Sequence, residues 1–222
     1  AYYGLGLSQE ARPMLEEALA IRRDVSESDE LCDSLESLAL VRGAQGEFCS
    51  EELKEVVAMR RRLGSPPKYP ARSLSHLAVQ LLVVLKLVEV GPALDEAWEV
   101  GTPIFGEKGR DAATILLTRA QWLLMSERQR EALTPLTKAA KILDEISGQH
   151  EFEKLVKTFV SAQIARQLGN WAFAEKVYEI VIDEGTRHVF AKQPLIPWIS
   201  AEHVYASSKA RVDQTRAARV SH

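Results

Sequence analysis

The sequence predicts an all-α protein, a right-handed α-solenoid of stacked antiparallel helix pairs, and three observations carry that prediction. First, the helix-like run Leu15 to Arg23, LEEALAIRR, returns as LKEVVAMRR at Leu53 to Arg61, identical at five of nine positions. Looser copies stand at Leu94, Leu136 and Tyr178. Second, three tracks advance by the same 42 residues: Ala78, Ala120 and Ala162; Leu94, Leu136 and Tyr178; Ala97, Ala139 and Val181. Third, each interval holds two amphipathic stretches. A fixed period of about 20–50 residues built that way marks a solenoid whose units bury their apolar faces only by stacking.

Composition is compatible with this and excludes several alternatives. At 222 residues, with 46% hydrophobic and 27% charged side chains, the chain can bury a core and is far from a disordered composition. A net charge of −3 leaves no overall basic footprint, so no nucleic-acid partner is expected. Cys32 and Cys49 allow one disulfide, but two isolated cysteines in a helical chain are expected to be reduced core residues. The longest apolar run, Leu77 to Val90, is too short for a bilayer and is expected to form a buried helix. No targeting signal is visible and the first residue is not Met, so a processed or truncated N-terminus is expected, in a soluble intracellular or organellar setting.

Taken in order, the chain reads as a single array over 1–222, with units at about 1–29 (partial), 30–70, 71–109, 110–150 and 151–197, then a terminal helix and polar tail over 198–222. In the first, Gly6 marks a turn and Ala11 to Arg23 the second helix, with Glu16 and Glu17 early and Arg22 and Arg23 late, as suits a helix dipole. The second carries Leu35, Leu38 and Ala39, a turn at Gly46 and a helix from Ser50; Leu53 stands about two residues early, which predicts a shortened turn. LGSPPKYPARS then predicts an extended crossing, because its prolines end helices. In the third unit Leu74, Leu77, Ala78 and Leu81 form the first helix, Gly91-Pro92 the turn, Ala93 to Val100 the second helix and GTPIFGEKG a loop whose Ile104 and Phe105 tuck between units. The fifth unit closes with the connector GTRHVFAKQPLIPW. Ile199 to Ser208 is a last helix, and Lys209 to His222 a polar cap or frayed end.

These residues resemble the tetratricopeptide repeat (TPR) proteins, in particular the 42-residue kind of kinesin light chains. Ala162, Gly169, Trp171, Ala174 and Tyr178 match the signature's small residue, turn glycine, turn aromatic, small residue and aromatic. Leu35, Leu38, Ala39, Gly46 and Phe48 fit in the second unit, and Leu116, Ala120, Ala132, Leu136 and Ala139 in the fourth, where Glu127 replaces the turn glycine. The family's paired asparagines, which hold an extended peptide by its backbone, correspond to Glu36 and Ser37, Ser75 and His76, Leu117 and Thr118, Phe159 and Val160. No asparagine stands at any of them.

The resemblance implies that first helices line a concave face. On the outward side of those helices lie Val79, Leu82, Val83, Leu117, Gln121, Leu124, Met125, Phe159, Gln163 and Arg166. Most are apolar, and an apolar surface of that size in water implies a partner helix or apolar segment bound in the groove. Packing between units, a tighter superhelix or self-association would cover the same side chains. Arg60, Arg61 and Arg62 form either a basic ridge or, as expected of a helix end, a solvated run. Ser26 to Asp33 is expected to be a solvated linker, with an acidic dock or phosphorylation site as the alternative.

No residue pattern points to catalysis, a cofactor or a metal. His76, His150, His188, His203 and His222 show no HExxH spacing and the cysteines no CxxC. Gly4-Leu5-Gly6 lacks the third glycine of a dinucleotide loop. Trp98, Trp122, Trp171 and Trp198 are expected to pack rather than to stack bases. The sequence therefore predicts a non-catalytic adaptor or assembly scaffold for protein partners. The alternatives are a structural subunit of a permanent complex, held through ridges and loops, and the sensor part of a longer protein.

Overall fold

The computed structural model describes residues 8–23, 26–146, 151–187, 203–204 and 206–213. The described residues are all-helical. They comprise α1 (Ser8–Arg23), α2 (Asp29–Ala44), α3 (Ser50–Leu63), α4 (Lys68–Val83), α5 (Leu87–Phe105), α6 (Arg110–Met125), α7 (Gln129–Ile146), α8 (Glu151–Gln167) and α9 (Trp171–Arg187). A terminal helical segment follows at 203–204 and 206–213. The chain divides into two compact units, Ala1–Arg128 and Gln129–His222.

In the first unit consecutive helices pack on one another from α1 to α6, and α4 also touches both α2 and α6. One apolar cluster joins Leu19, Leu31, Cys32 and Leu35 to Val56 and Met59 across α1, α2 and α3. A larger one joins Leu53 and Val57 of α3, Leu74, Leu77 and Leu81 of α4, and Val90, Leu94 and Ala97 of α5. In the second unit α7 packs on α8 and α8 on α9, with Ala162, Ala174, Tyr178, Val181 and Ala206 buried together. Both cysteines are buried and free, as the sequence predicts.

Helix starts explain the repeating tracks. Val57, Leu94, Leu136 and Tyr178 are each the eighth residue of α3, α5, α7 and α9, and all four are buried. The eleventh residue is Arg60, Ala97, Ala139 or Val181, fully buried in every case. Three are small or β-branched, as close helix packing demands, and one is an arginine.

The turns inside pairs follow one rule with two substitutions. Gly46, Leu85, Glu127 and Gly169, each seven residues after Ala39, Ala78, Ala120 and Ala162, all adopt positive φ (87°, 59°, 59° and 75°). Glycine takes this left-handed conformation freely, whereas an L side chain costs about 1–2 kcal/mol there.

Several expectations are corrected. The run Leu77 to Val90 is not one helix: α4 ends at Val83, and Leu85 turns the chain into α5. Gly91-Pro92 therefore lies inside α5 rather than in a turn. Gly91 is required by a close approach, since a Cβ there would stand 2.7 Å from the Trp122 ring, whose Nε1 donates to the Leu87 carbonyl at 2.8 Å. The helix continues to Phe105, so the loop shrinks to Gly106–Gly109; Ile104 is exposed, and Phe105 alone packs against the core. The turn before α3 is longer than the others, not shorter, with Glu47, Phe48 and Cys49 separating Gly46 from Ser50. The crossing after α3 is only Gly64 to Pro67, because Pro70 is absorbed into the first turn of α4. Helix α9 runs on to Arg187, and Lys209 to Asp213, expected in the polar tail, are helical. Gly6, Trp198, His150, His188 and His222 lie outside the described residues.

Leu85→Gly is expected to stabilise the protein by about 0.5–1 kcal/mol, relief of left-handed strain outweighing the glycine's added unfolded-state freedom. Gly91→Ala should destabilise it by about 1–3 kcal/mol through overpacking on Trp122. Denaturant midpoints of the two variants check both signs.

Candidate functional site

Three helices of the first unit enclose a layer of charge. Arg60 of α3 is 0% exposed, and its Nη2 donates to Glu36 Oε2 at 2.9 Å and to Asp33 Oδ1 at 2.7 Å, both on α2. Arg72 of α4 donates to the same two carboxylates at 3.2 and 2.8 Å, and His76 Nδ1 lies 2.8 Å from Glu36 Oε1. The guanidinium of Arg60 also stands over the Tyr69 ring, 5.0 Å from its centroid. The arginine run is thus split: Arg61 and Arg62 are exposed as expected of a helix end, while Arg60 is a core residue.

Glu36 is itself buried, which pushes its carboxyl up. The hydrogen bond to His76 and the positive charges of His76, Arg72 and Arg60 outweigh burial and hold it below the ordinary value. Arg60 Nε and Nη1 find no hydrogen-bond partner; Nη1 has only Asp29 Oδ1, 4.0 Å away. Breaking such a layer from one side is costlier than replacing it whole, because the surviving charge stays buried.

Beside this layer a cavity of about 330 Å³ opens between α4, α6 and the end of α5. Lys68, Arg72 and His76 line it from α4, Asp111 and Thr114 from α6, and Ile104 and Phe105 from α5. Along α4, Lys68, Arg72, His76, Val79 and Val83 recur at helical spacing, all exposed or half-exposed. On α6, Asp111, Thr114, Leu117, Gln121, Leu124 and Met125 do the same. The two stripes are polar at the cavity end and apolar at the other.

The expected groove residues therefore divide. Val79, Val83 and Met125 are exposed, Val83 the most at 55%, and Leu117, Gln121 and Leu124 are half-buried. Leu82 is corrected: at 3% exposure it belongs to the core of the first unit, one residue of helix rotation away from the face shown by Val83. In the second unit Phe159 and Gln163 are also buried, Phe159 against Tyr178 at 6.0 Å between ring centroids, and Arg166 is half-buried. The cavity wall was missed by the sequence reading. Its signal was present in Ser75 and His76, which stand at family peptide-clamp positions. Burial pushes the Cys32 thiol up to about 11 and the Cys49 thiol in the same direction, so neither is an activated nucleophile.

The helices, packed in sequence as pairs, form a TPR-like helical repeat fold. A crystal structure of a Podosopora anserina kinesin light chain with nearly identical TPR-like repeats is similar at a TM-score of 0.60 and 19% identity, covering 84% of this chain and 90% of that one. A single-residue variant of that protein matches at a TM-score of 0.61 over the same shares, again at 19% identity. BtubC (BKLC) from P. vanneervenii matches at a TM-score of 0.62 and 13% identity, covering 97% of this chain and 93% of that one. The kinesin-light-chain-like resemblance thus extends in structure over most of the chain, and at these identities it concerns the fold. No protein-family model matches the sequence, and no curated protein is significantly similar to it. No helix among the described residues is long and apolar enough to cross a membrane.

Glu36→Gln is expected to destabilise the protein by about 3 kcal/mol, whereas Arg60→Met with Glu36→Leu should cost much less. The depressed carboxyl of Glu36 contributes stability above its unfolded value near 4.5 and loses it as pH falls through the lower folded value. Urea midpoints measured from pH 7 to pH 3 should therefore drop more steeply below about 4.5 in the wild type than in Glu36→Gln.

Proposed function

We propose that the chain is a non-catalytic protein-interaction adaptor or assembly scaffold that takes a helix or apolar segment of a partner protein between α4 and α6. The observation that carries this reading is the stripe Val79, Val83 and Met125, large apolar side chains left in water beside a polar cavity. Burying a few hundred Å² there at roughly 25 cal/mol per Å² would supply several kcal/mol before the costs of association. Lys68, Thr114 and Asp111 at the polar end then set register and direction. The repeat fold supports the reading, because helix pairs present such stripes on a stiff frame.

A second reading, a subunit held in a permanent complex through its turn edges, is favoured by one observation. Phe48, Leu85 and Val88 lie at turns or the helix start following one, and are 69%, 67% and 89% exposed.

The test purifies the native full-length protein with attached chains and identifies them by mass spectrometry, for wild type, Val79→Glu/Val83→Glu and Phe48→Ser/Val88→Ser. The groove reading expects the first pair alone to lose the partner while circular dichroism stays unchanged. Loss only from the second pair transfers the contact to the turn edges, and no associated chain in any preparation overturns both. Leu82 variants are unsuitable, since they would report on folding.

A further inference from the structure

We propose that Glu175, Glu179 and His203 form a binding site for one divalent transition-metal ion of the zinc type, within the second unit and independent of the groove. Glu175 and Glu179 stand one turn apart on α9, His203 comes from the terminal helical segment, and one ligand atom of each lies within 4.8 Å of the others. Their assembly does not depend on mutual attraction. Ala206 is fully buried with Ala174, Val177, Tyr178 and Val181, which docks the terminal segment on α9 by apolar packing. His203, one turn before Ala206, is thereby set against the two carboxylates.

The local chemistry leaves these groups without better partners. His203 Nε2 lies 3.6 Å from Glu179 Oε1 and 3.4 Å from Ser207 Oγ, both longer than a good hydrogen bond. Two carboxylates at i and i+4 repel one another on a helix, and a divalent cation between them reverses that sign. Zinc bound by nitrogen and oxygen at about 2.0–2.2 Å holds tetrahedral ligand atoms about 3.4 Å apart, so binding requires these side chains to close from their separation of up to 4.8 Å. A nitrogen beside two oxygens selects zinc over magnesium, which takes oxygen ligands in octahedral geometry. Glu175 and His203 are half-buried and Glu179 is exposed, so the ion enters from solvent and water completes its coordination.

The test strips the full-length protein with a chelator and titrates it with zinc chloride by calorimetry, with magnesium chloride in parallel. One zinc per chain is expected, with binding at least tenfold weaker in His203→Gln and in Glu175→Gln/Glu179→Gln, unchanged in Glu51→Gln, and no magnesium uptake. Glu179→Gln alone, at an exposed position, serves if the double variant fails to fold, and should show the same direction. Absence of saturable zinc uptake overturns the proposal, as does full affinity in His203→Gln or magnesium binding of equal strength. None of these outcomes bears on the groove between α4 and α6.

Discussion

Stacked helices bury their apolar faces only if their backbones come close, and closeness is set by the smallest side chain at the crossing. Ala39, Ala78, Ala120 and Ala162 meet that requirement on the first helices, and Ala97, Ala139 and Val181 on the second. Each of these is buried, and the residues seven positions after the first-helix alanines are those that turn the chain. Where α3 needs such a residue it has Arg60, too long for the same approach. The structure accommodates it by running the guanidinium between α2 and α4, where Asp33 and Glu36 balance its charge and Tyr69 covers its face. The crossing position that is apolar on α5, α7 and α9 is thus electrostatic on α3, within a pair whose remaining core is apolar.

That exchange shapes the surface next to it. Glu36 and His76 fall where the resembling family carries peptide-holding asparagines, and here they are spent on one another and on Arg60 and Arg72. Mutually bonded groups are less free to turn toward a ligand, most of all Glu36 and Arg60, which are also buried. Two of the side chains that line the cavity from α4, Arg72 and His76, are therefore already engaged with Glu36. On the proposed reading, recognition at that end would fall to side chains outside the charged layer, such as Lys68, Thr114 and Asp111, with the apolar side chains beyond adding area.

Much of the fold was legible because a small buried residue leaves a periodic trace: the alanine tracks locate the helix pairs, and the reduced cysteines follow from their apolar setting. Three kinds of feature were not legible. A residue's face depends on helix rotation of about 100° per position, so Leu82 and Val83, adjacent and equally apolar, part into core and surface. Glycine signals both turns and close approaches, and Gly91 serves the second while the turn itself falls on Leu85, which carries no turn signal at all. Arg60 looked like its neighbours Arg61 and Arg62, because the carboxylates that draw it inward lie more than twenty residues earlier.

Leu85 also bears on where the chain meets other molecules. A leucine in left-handed conformation, 67% exposed, gains neither backbone ease nor burial from its position. Backbone strain of this kind persists when the surrounding structure over-determines it, and here Leu81 and Leu82 before it and Val90 and Leu94 after it are locked in one core. That fixes the turn but leaves the choice of side chain at its tip open, since a glycine would satisfy the same core. One pair later Met125 and Glu127 stand where Val83 and Leu85 do, so the exposed apolar group on the helix face is kept while the left-handed residue is charged. Exposed apolar side chains thus occur at Val79 and Val83 on α4 and again at Leu85 and Val88 about the next turn, with Lys86 between them, whereas Met125 is the one at the end of α6. On the proposed reading, a partner seated between α4 and α6 would meet more fully exposed apolar side chains on α4, at Val79 and Val83, than on α6, where Leu117 and Leu124 are half-buried and Met125 is exposed.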